Sequence, residues 1–197
     1  MKKKKFRSFK LQRVQPGQLT DRLLLANLYL TQGITLIAGL IWIWLQGRNP
    51  FSLLVLPPGF EFIWWGLGLA AAMLLVDLFI SRIVPESSMD DGGINEMIFK
   101  NRPLWHIIII TLMVGICEEL LFRGAIQYAF GPYWTSILFA AIHFRYLRHW
   151  IPTGWVFVSS YALGYIYIES GTLWAPILCH FMIDLISGLI ISLRREK

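Results

Sequence analysis

The hydrophobic positions of this chain come in long blocks rather than in amphipathic stripes. Apolar runs at 23–45, 62–84 and 104–126 each reach the ~20 residues that a helix needs to cross a bilayer core of ~30 Å. Three more follow at 133–147, 150–168 and 173–193. The first of these is short, because its uninterrupted apolar part stops at Phe144, and a re-entrant segment fits it as well. Between the second and third blocks, 85–102 holds Glu86, Ser87, Ser88, Asp90, Asp91, Gly92 and Gly93, which reads as a polar loop. The pattern predicts an all-α fold: a polytopic membrane protein built as a bundle of six transmembrane helices.

Basic residues set the orientation, since short cytoplasmic loops are enriched in Lys and Arg. Six spans put both termini in the cytoplasm, and sixteen of the eighteen Lys and Arg then lie on that side. They comprise Lys2, Lys3, Lys4, Lys5, Arg7, Lys10, Arg13 and Arg22 before the first span, then Arg82, Lys100, Arg102, Arg145, Arg148, Arg194, Arg195 and Lys197. Arg48 alone falls in an outer loop, and Arg123 lies inside a span. An odd number of spans would leave one basic terminal cluster on the wrong side. The chain therefore divides into a basic cytoplasmic arm at 1–22 and a single integral membrane domain at 23–197. The Lys2–Lys5 run is a topology signal that attracts anionic lipid rather than a nucleic-acid arm. It stands ~15 residues before an apolar stretch too long for a signal peptide, so the first span is expected to stay as an anchor.

Composition agrees with lipid as the solvent. Residues of the set AVILMFWYC make up 56% of the chain and charged residues only 15%, against roughly 45–50% and 25% in soluble domains. Cys117 and Cys179 lie within spans and read as small packing residues rather than a disulfide or a metal cage. Most of the nine Trp stand near span ends, where amphipathic rings favour the headgroup level. His106 and His149 are expected at interfaces. Asp77 is read as structural, paired with Arg82 near the inner boundary.

Against that background the remaining ionisable residues stand out, because a charge within the hydrocarbon costs ~2.5–3.5 kcal/mol on insertion scales. The third span carries Glu118, Glu119 and Arg123, the fourth His143, and the sixth His180 and Asp184. Glu119 and Arg123 are spaced i,i+4 and share a helix face, with Glu118 turned away from them. Phe139 with His143, and His180 with Asp184, have the same spacing. At 1.5 Å per residue, Glu118 lies about 9 Å below the outer face, and His143, His180 and Asp184 about 15, 10 and 16 Å below it. One layer holds them all. A carboxylate that takes a proton from water, with imidazoles to orient the water and stabilise an oxyanion, would hydrolyse a carbonyl compound. The same donors, Glu118, His143, His180 and Asp184, could instead hold Zn²⁺ with a position open for water. Buried carboxylates also serve proton-linked transporters or a non-enzymatic scaffold, although neither inverted repeats nor paired broken helices are visible.

Glu-Glu-x-x-x-Arg at Glu118, Glu119 and Arg123, Phe-x-x-x-His at Phe139 and His143, and His-x-x-x-Asp at His180 and Asp184 resemble three motifs of a known family. It is the CPBP family of intramembrane proteases, which includes the CAAX prenyl endopeptidases and bacteriocin-processing or immunity-associated proteins. Gly124 follows the Arg as it commonly does there. The resemblance covers about 104–193. It implies that Glu118 is the base that activates water, that His143 helps to hold the water, and that His180 with Asp184 polarises the carbonyl or stabilises the oxyanion. Glu119 and Arg123 would be a supporting ion pair. Asp184 occupies a position where the family accepts Asn or Asp, and members often have more than six spans. A glutamate-dependent mechanism and a divalent metal such as Zn²⁺ both stay open, but no His-Glu-x-x-His is present to support a zincin-like centre. The implied partners are membrane lipid and a peptide or lipidated-protein substrate, with no nucleic acid. A bacterial-type plasma membrane is the expected location, and an immunity protein or transporter is the alternative role.

Overall fold

A computed structural model describes residues 20–85, 93–143, 147 and 149–193. Most of the basic arm at 1–22, Glu86, Ser87, Ser88, Asp90, Asp91, Arg145, Arg148, Arg194, Arg195 and Lys197 lie outside the described residues. Among those described, every regular element is helical: α1 (Asp21–Leu45), α2 (Glu61–Ile83), α3 (Ile94–Phe99), α4 (Leu104–Glu119), α5 (Gln127–Ile142), α6 (Trp150–Ser170) and α7 (Trp174–Leu193). A 3₁₀ turn at Pro50–Leu54 joins α1 to α2, and a π turn at Leu120–Ile126 joins α4 to α5 without a break. The all-helical, membrane-embedded architecture matches expectation.

The span pattern differs in one region. Among the described residues, four stretches are long and apolar enough to cross a bilayer: Asp21–Leu45, Glu61–Ile83, Leu104–Ile142 and Trp174–Leu193. The third has 39 residues, about 58 Å of helix, and is bent rather than straight. Gly131 breaks it with φ 75° and ψ 171°, a conformation that only a residue without Cβ enters at little cost. Pro132 follows, with no N–H to continue the ladder. Beyond the break the helix ends at Ile142, so the expected fourth segment carries only about 16 Å of helix, half the bilayer core. His143 therefore sits just past a helix end, with φ −82° and ψ 46°, and not within a span. The 21-residue α6 is long enough to cross, but Thr153, Gly154, Ser159 and Ser160 dilute its apolar character.

Close backbone contact positions the helices, as expected where lipid removes the hydrophobic drive between them. Gly66 and Ala70 form a small-residue stripe on α2. A Cβ at Gly66 would stand 2.9 Å from the Ala175 carbonyl and 3.0 Å from Leu178 on α7. Further along the same pair, Met73 meets Cys179 through their sulfurs at 3.9 Å, so α2 and α7 run parallel. Both cysteines are buried and unbridged, as small packing residues should be. Helix α7 also packs on α3, α4 and α6, which makes it the shared wall of the bundle. On α1, Gly39 rests on Leu121 and Ile43 on Gly124.

Two polar expectations change. Asp77 makes no hydrogen bond or ion pair with Arg82 or any other described residue, because five residues of helix turn the two side chains to different faces. Arg48 proves to be a cap: its Nη1 donates to the Gly124 carbonyl at 2.7 Å and its guanidinium lies 4.0 Å over the Tyr128 ring. Gln46 Nε2 likewise donates to the Ala125 carbonyl at 2.9 Å. His106 bonds Tyr29 Oη at 2.8 Å and stacks on Trp105, tying the starts of α1 and α4 together.

The Gly66 contact generates a stability test. Gly66→Ala forces α2 away from α7 and should cost about 1–3 kcal/mol, read as a lower midpoint of thermal unfolding in detergent. Gly68→Ala, with nothing within 4 Å of its Cβ, should leave the midpoint no lower, since Ala is the better helix former where space allows it. Equal midpoints for the two variants would rule out the packing role.

Candidate active site

The end of α4 and the π turn after it carry three of the candidate residues. Glu119 is the last residue of α4, and Arg123 stands in the π turn. Both side chains are 0% exposed. Arg123 Nη1 donates to Glu119 Oε1 at 3.2 Å, and its Nε approaches Oε2 at 3.1 Å at an angle that misses a hydrogen bond. The other arm of the guanidinium reaches α6, where Nη2 donates to the Ser160 carbonyl at 2.9 Å and to its hydroxyl at 3.0 Å. Two of the five N–H donors of Arg123 are thus used to fix α6 against the π turn.

Glu119 is more than the partner of Arg123. Its Oε1 also accepts from His180 Nδ1 at 2.7 Å, a shorter contact than the 3.5 Å between His180 Nε2 and Asp184 Oδ2. His180 is therefore held at Nδ1 by α4, while its Nε2 faces Asp184 of its own helix without a hydrogen bond. Sequence spacing paired it with Asp184 alone. The Glu119 contact depends on how α4 meets α7, where Gly115 lies against the Ile177 carbonyl and the Phe181 backbone.

Phe139 joins the two imidazoles. Its ring stacks on His143 with centroids 4.5 Å apart and meets His180 edge-on at 6.3 Å. Arg123 lies 5.1 Å over the same ring, and Phe122 packs on it from the π turn. The Phe139 carbonyl accepts from His143 Nδ1 at 2.7 Å, which orients the imidazole and fixes the proton of its neutral form on Nδ1. The aromatic wall predicted beside His143 thus holds both histidines in place.

Glu118 points elsewhere. Its Oε1 accepts from Gln32 Nε2 on α1 at 3.0 Å. The structure thus gathers Glu119, Arg123, His180 and Asp184 by direct contact, links His143 to them through Phe139, and sets Glu118, next in sequence to Glu119, against α1. Gln32 and Ser160 were not legible in the sequence: both are uncharged, and nothing in their spacing marks them. Among the described residues no three His, Cys, Asp or Glu side chains form a group fit to hold a metal ion.

These features define a helical, membrane-embedded protein with a carboxylate–imidazole cluster inside its bundle. Residues 100–186 match the family model of Rce1-like type II CAAX prenyl endopeptidases. The chain is 40% identical over 138 residues to YpbD of Bacillus subtilis, an uncharacterized protein, with 68% of this chain and 73% of that protein covered. No solved structure gives a significant match. The chain belongs to the CPBP family, with an Rce1-like CAAX prenyl endopeptidase domain. Family membership places it among membrane-embedded peptidases.

The ion pair gives a second test. Arg123→Ala leaves Glu119 as an unneutralised buried charge and should cost about 3–5 kcal/mol. Ser160→Ala, which keeps the carbonyl acceptor, should cost only about 1 kcal/mol. Thermal unfolding in detergent measures both, and an Arg123→Ala variant as stable as Ser160→Ala would refute the central role of the pair.

Proposed function

We propose that this chain is a glutamate-dependent intramembrane endopeptidase that cleaves a membrane-associated, prenylated or leader-type peptide. One observation carries the reading: two adjacent carboxylates are held apart, Glu119 by Arg123 and His180 and Glu118 by Gln32. One is committed to structure, and the other is left for chemistry. In the proposed reaction Glu118 takes a proton from water as the water oxygen attacks the peptide carbonyl. His143, protonated on Nδ1, turns its Nε2 lone pair to the same water. His180 donates to the oxyanion that develops on the carbonyl through Nε2, which lies 3.5 Å from Asp184 Oδ2 without a hydrogen bond to it, while Glu119 holds Nδ1 and the two carboxylates stabilise the imidazolium form. When the intermediate collapses, the C–N bond breaks and Glu118 returns the proton to the leaving amine. No step is routed through a metal.

Both termini face the cytoplasm, as the basic residues favour. The basic arm at 1–22 attracts anionic lipid, and the membrane domain fills 23–197. A bacterial-type plasma membrane is the host, a reading that the Bacillus subtilis relative supports. The partners are membrane lipid and a peptide or lipidated-protein substrate, and nucleic acid is not one of them.

Two measurements check this. Membranes carrying the wild type should release peptides that membranes carrying Glu118→Gln do not, with the rate of peptide release falling at least ~100-fold, as loss of a general base requires. Equal peptide release would end the assignment and favour a transporter or scaffold. Purified enzyme treated with EDTA should keep its rate. A loss that stoichiometric zinc restores would replace the metal-free mechanism.

A further inference from the structure

Gln32 is a buried amide in the middle of α1, 5% exposed, and it lies outside the family-matched region at 100–186. Among the described residues its side chain makes one hydrogen bond, Nε2 to Glu118 Oε1 at 3.0 Å. Its own carbonyl oxygen is buried and has no hydrogen-bond partner. A half-satisfied amide in an apolar helix is costly, and the packing of α1 does not need it. Close contact between α1 and the π turn is already made by Gly39 on Leu121 and Ile43 on Gly124. Nor does the carboxylate have another anchor, since Gln32 is the hydrogen-bond partner of Glu118 among the described residues.

We infer that Gln32 is a positioning residue for the reaction: its N–H occupies Oε1 of Glu118 and so fixes the rotamer that leaves Oε2 as the base. The inference rests on the endopeptidase reading. It extends the active site to the N-terminal half of the chain, which none of the three motifs includes. The direction of the bond is set by charge, because an ionised carboxylate only accepts and the amide must present its nitrogen. A neutral amide suits this role better than Lys or Arg. It orients the carboxylate without adding a counter-charge that would weaken the base.

The test uses the full-length protein in phospholipid nanodiscs, as wild type, Gln32→Met and Gln32→Leu. Both substitutions put an apolar side chain of similar size in place of the amide and remove the donor. Infrared difference spectra against Glu118→Gln identify the Glu118 carboxylate band, which should shift in Gln32→Met. On a fluorescence-quenched, prenylated CAAX peptide, kcat should fall roughly ten- to a hundredfold while KM changes less than about threefold, the signature of a lost hydrogen bond to a charged catalytic group. If Gln32→Met does not fold, Gln32→Leu reads the same loss. An unmoved band overturns the contact. A shifted band with unchanged kcat, or a loss confined to KM, overturns the positioning role. A wild type that cleaves no peptide overturns the endopeptidase reading and the role with it, and the band still decides the contact.

Discussion

The rest of the site depends on one buried ion pair. Glu119 and Arg123 are both sealed from solvent, in a medium where a lone charge is among the costliest things a chain can bury. Pairing the two is not enough, because each has hydrogen-bonding capacity beyond the other. Arg123 spends the surplus on Ser160 of α6, and Glu119 on His180 of α7. A pair formed within four residues of sequence thereby becomes a tie between four elements, α4, the π turn, α6 and α7. The orientation of His180 follows from it, since its Nδ1 is held by Glu119. Phe139 in turn has Arg123 and His143 against its ring. Electrostatic necessity in a poor solvent supplies the precision that hydrophobic packing alone would not give among lipid-like side chains.

Much of this was legible in the sequence, and for a simple reason. Apolar blocks and rare charges are strong signals in a membrane chain, and i,i+4 spacing on a helix is local geometry. The three motifs, the Glu119–Arg123 pair and the nearness of Phe139 to His143 needed nothing more. What could not be read depended on how helices meet. The Glu119–His180 contact crosses from α4 to α7, and Ser160 and Gln32 are polar but uncharged, so neither looks costly in a list of residues. His143 was placed inside a span because the apolar run continues to Phe144. The helix ends at Ile142 all the same, on the second limb of a stretch that Gly131 and Pro132 had already turned. Gly-Pro is a turn signal, but its position tells where the chain bends and not how far the helix continues beyond.

Arg48 illustrates the same limit from the opposite side. Counted by topology, it is an exception to the rule that basic residues stay inside. Seen in place, it donates to a π-turn carbonyl, and the neighbouring carbonyl is served by Gln46. Unmet backbone groups cannot be left to lipid, so a wide turn near the membrane surface needs donors from outside its own helix. The loop after α1 supplies them. The exception is thus explained by hydrogen-bond satisfaction and not by orientation.

The π turn also bears on which sequence changes the chain can accept. Each residue of ordinary helix advances its neighbours by about 100°. Inserting or deleting one residue in Leu120–Ile126 would therefore swing everything after it around the axis. Gln127 would leave the Gly164 carbonyl that it now meets at 2.9 Å, and Arg123 would lose either Glu119 or Ser160. A substitution in this stretch changes one contact, whereas a change of length rewrites them all. The seven residues are constrained as a number before they are constrained as identities.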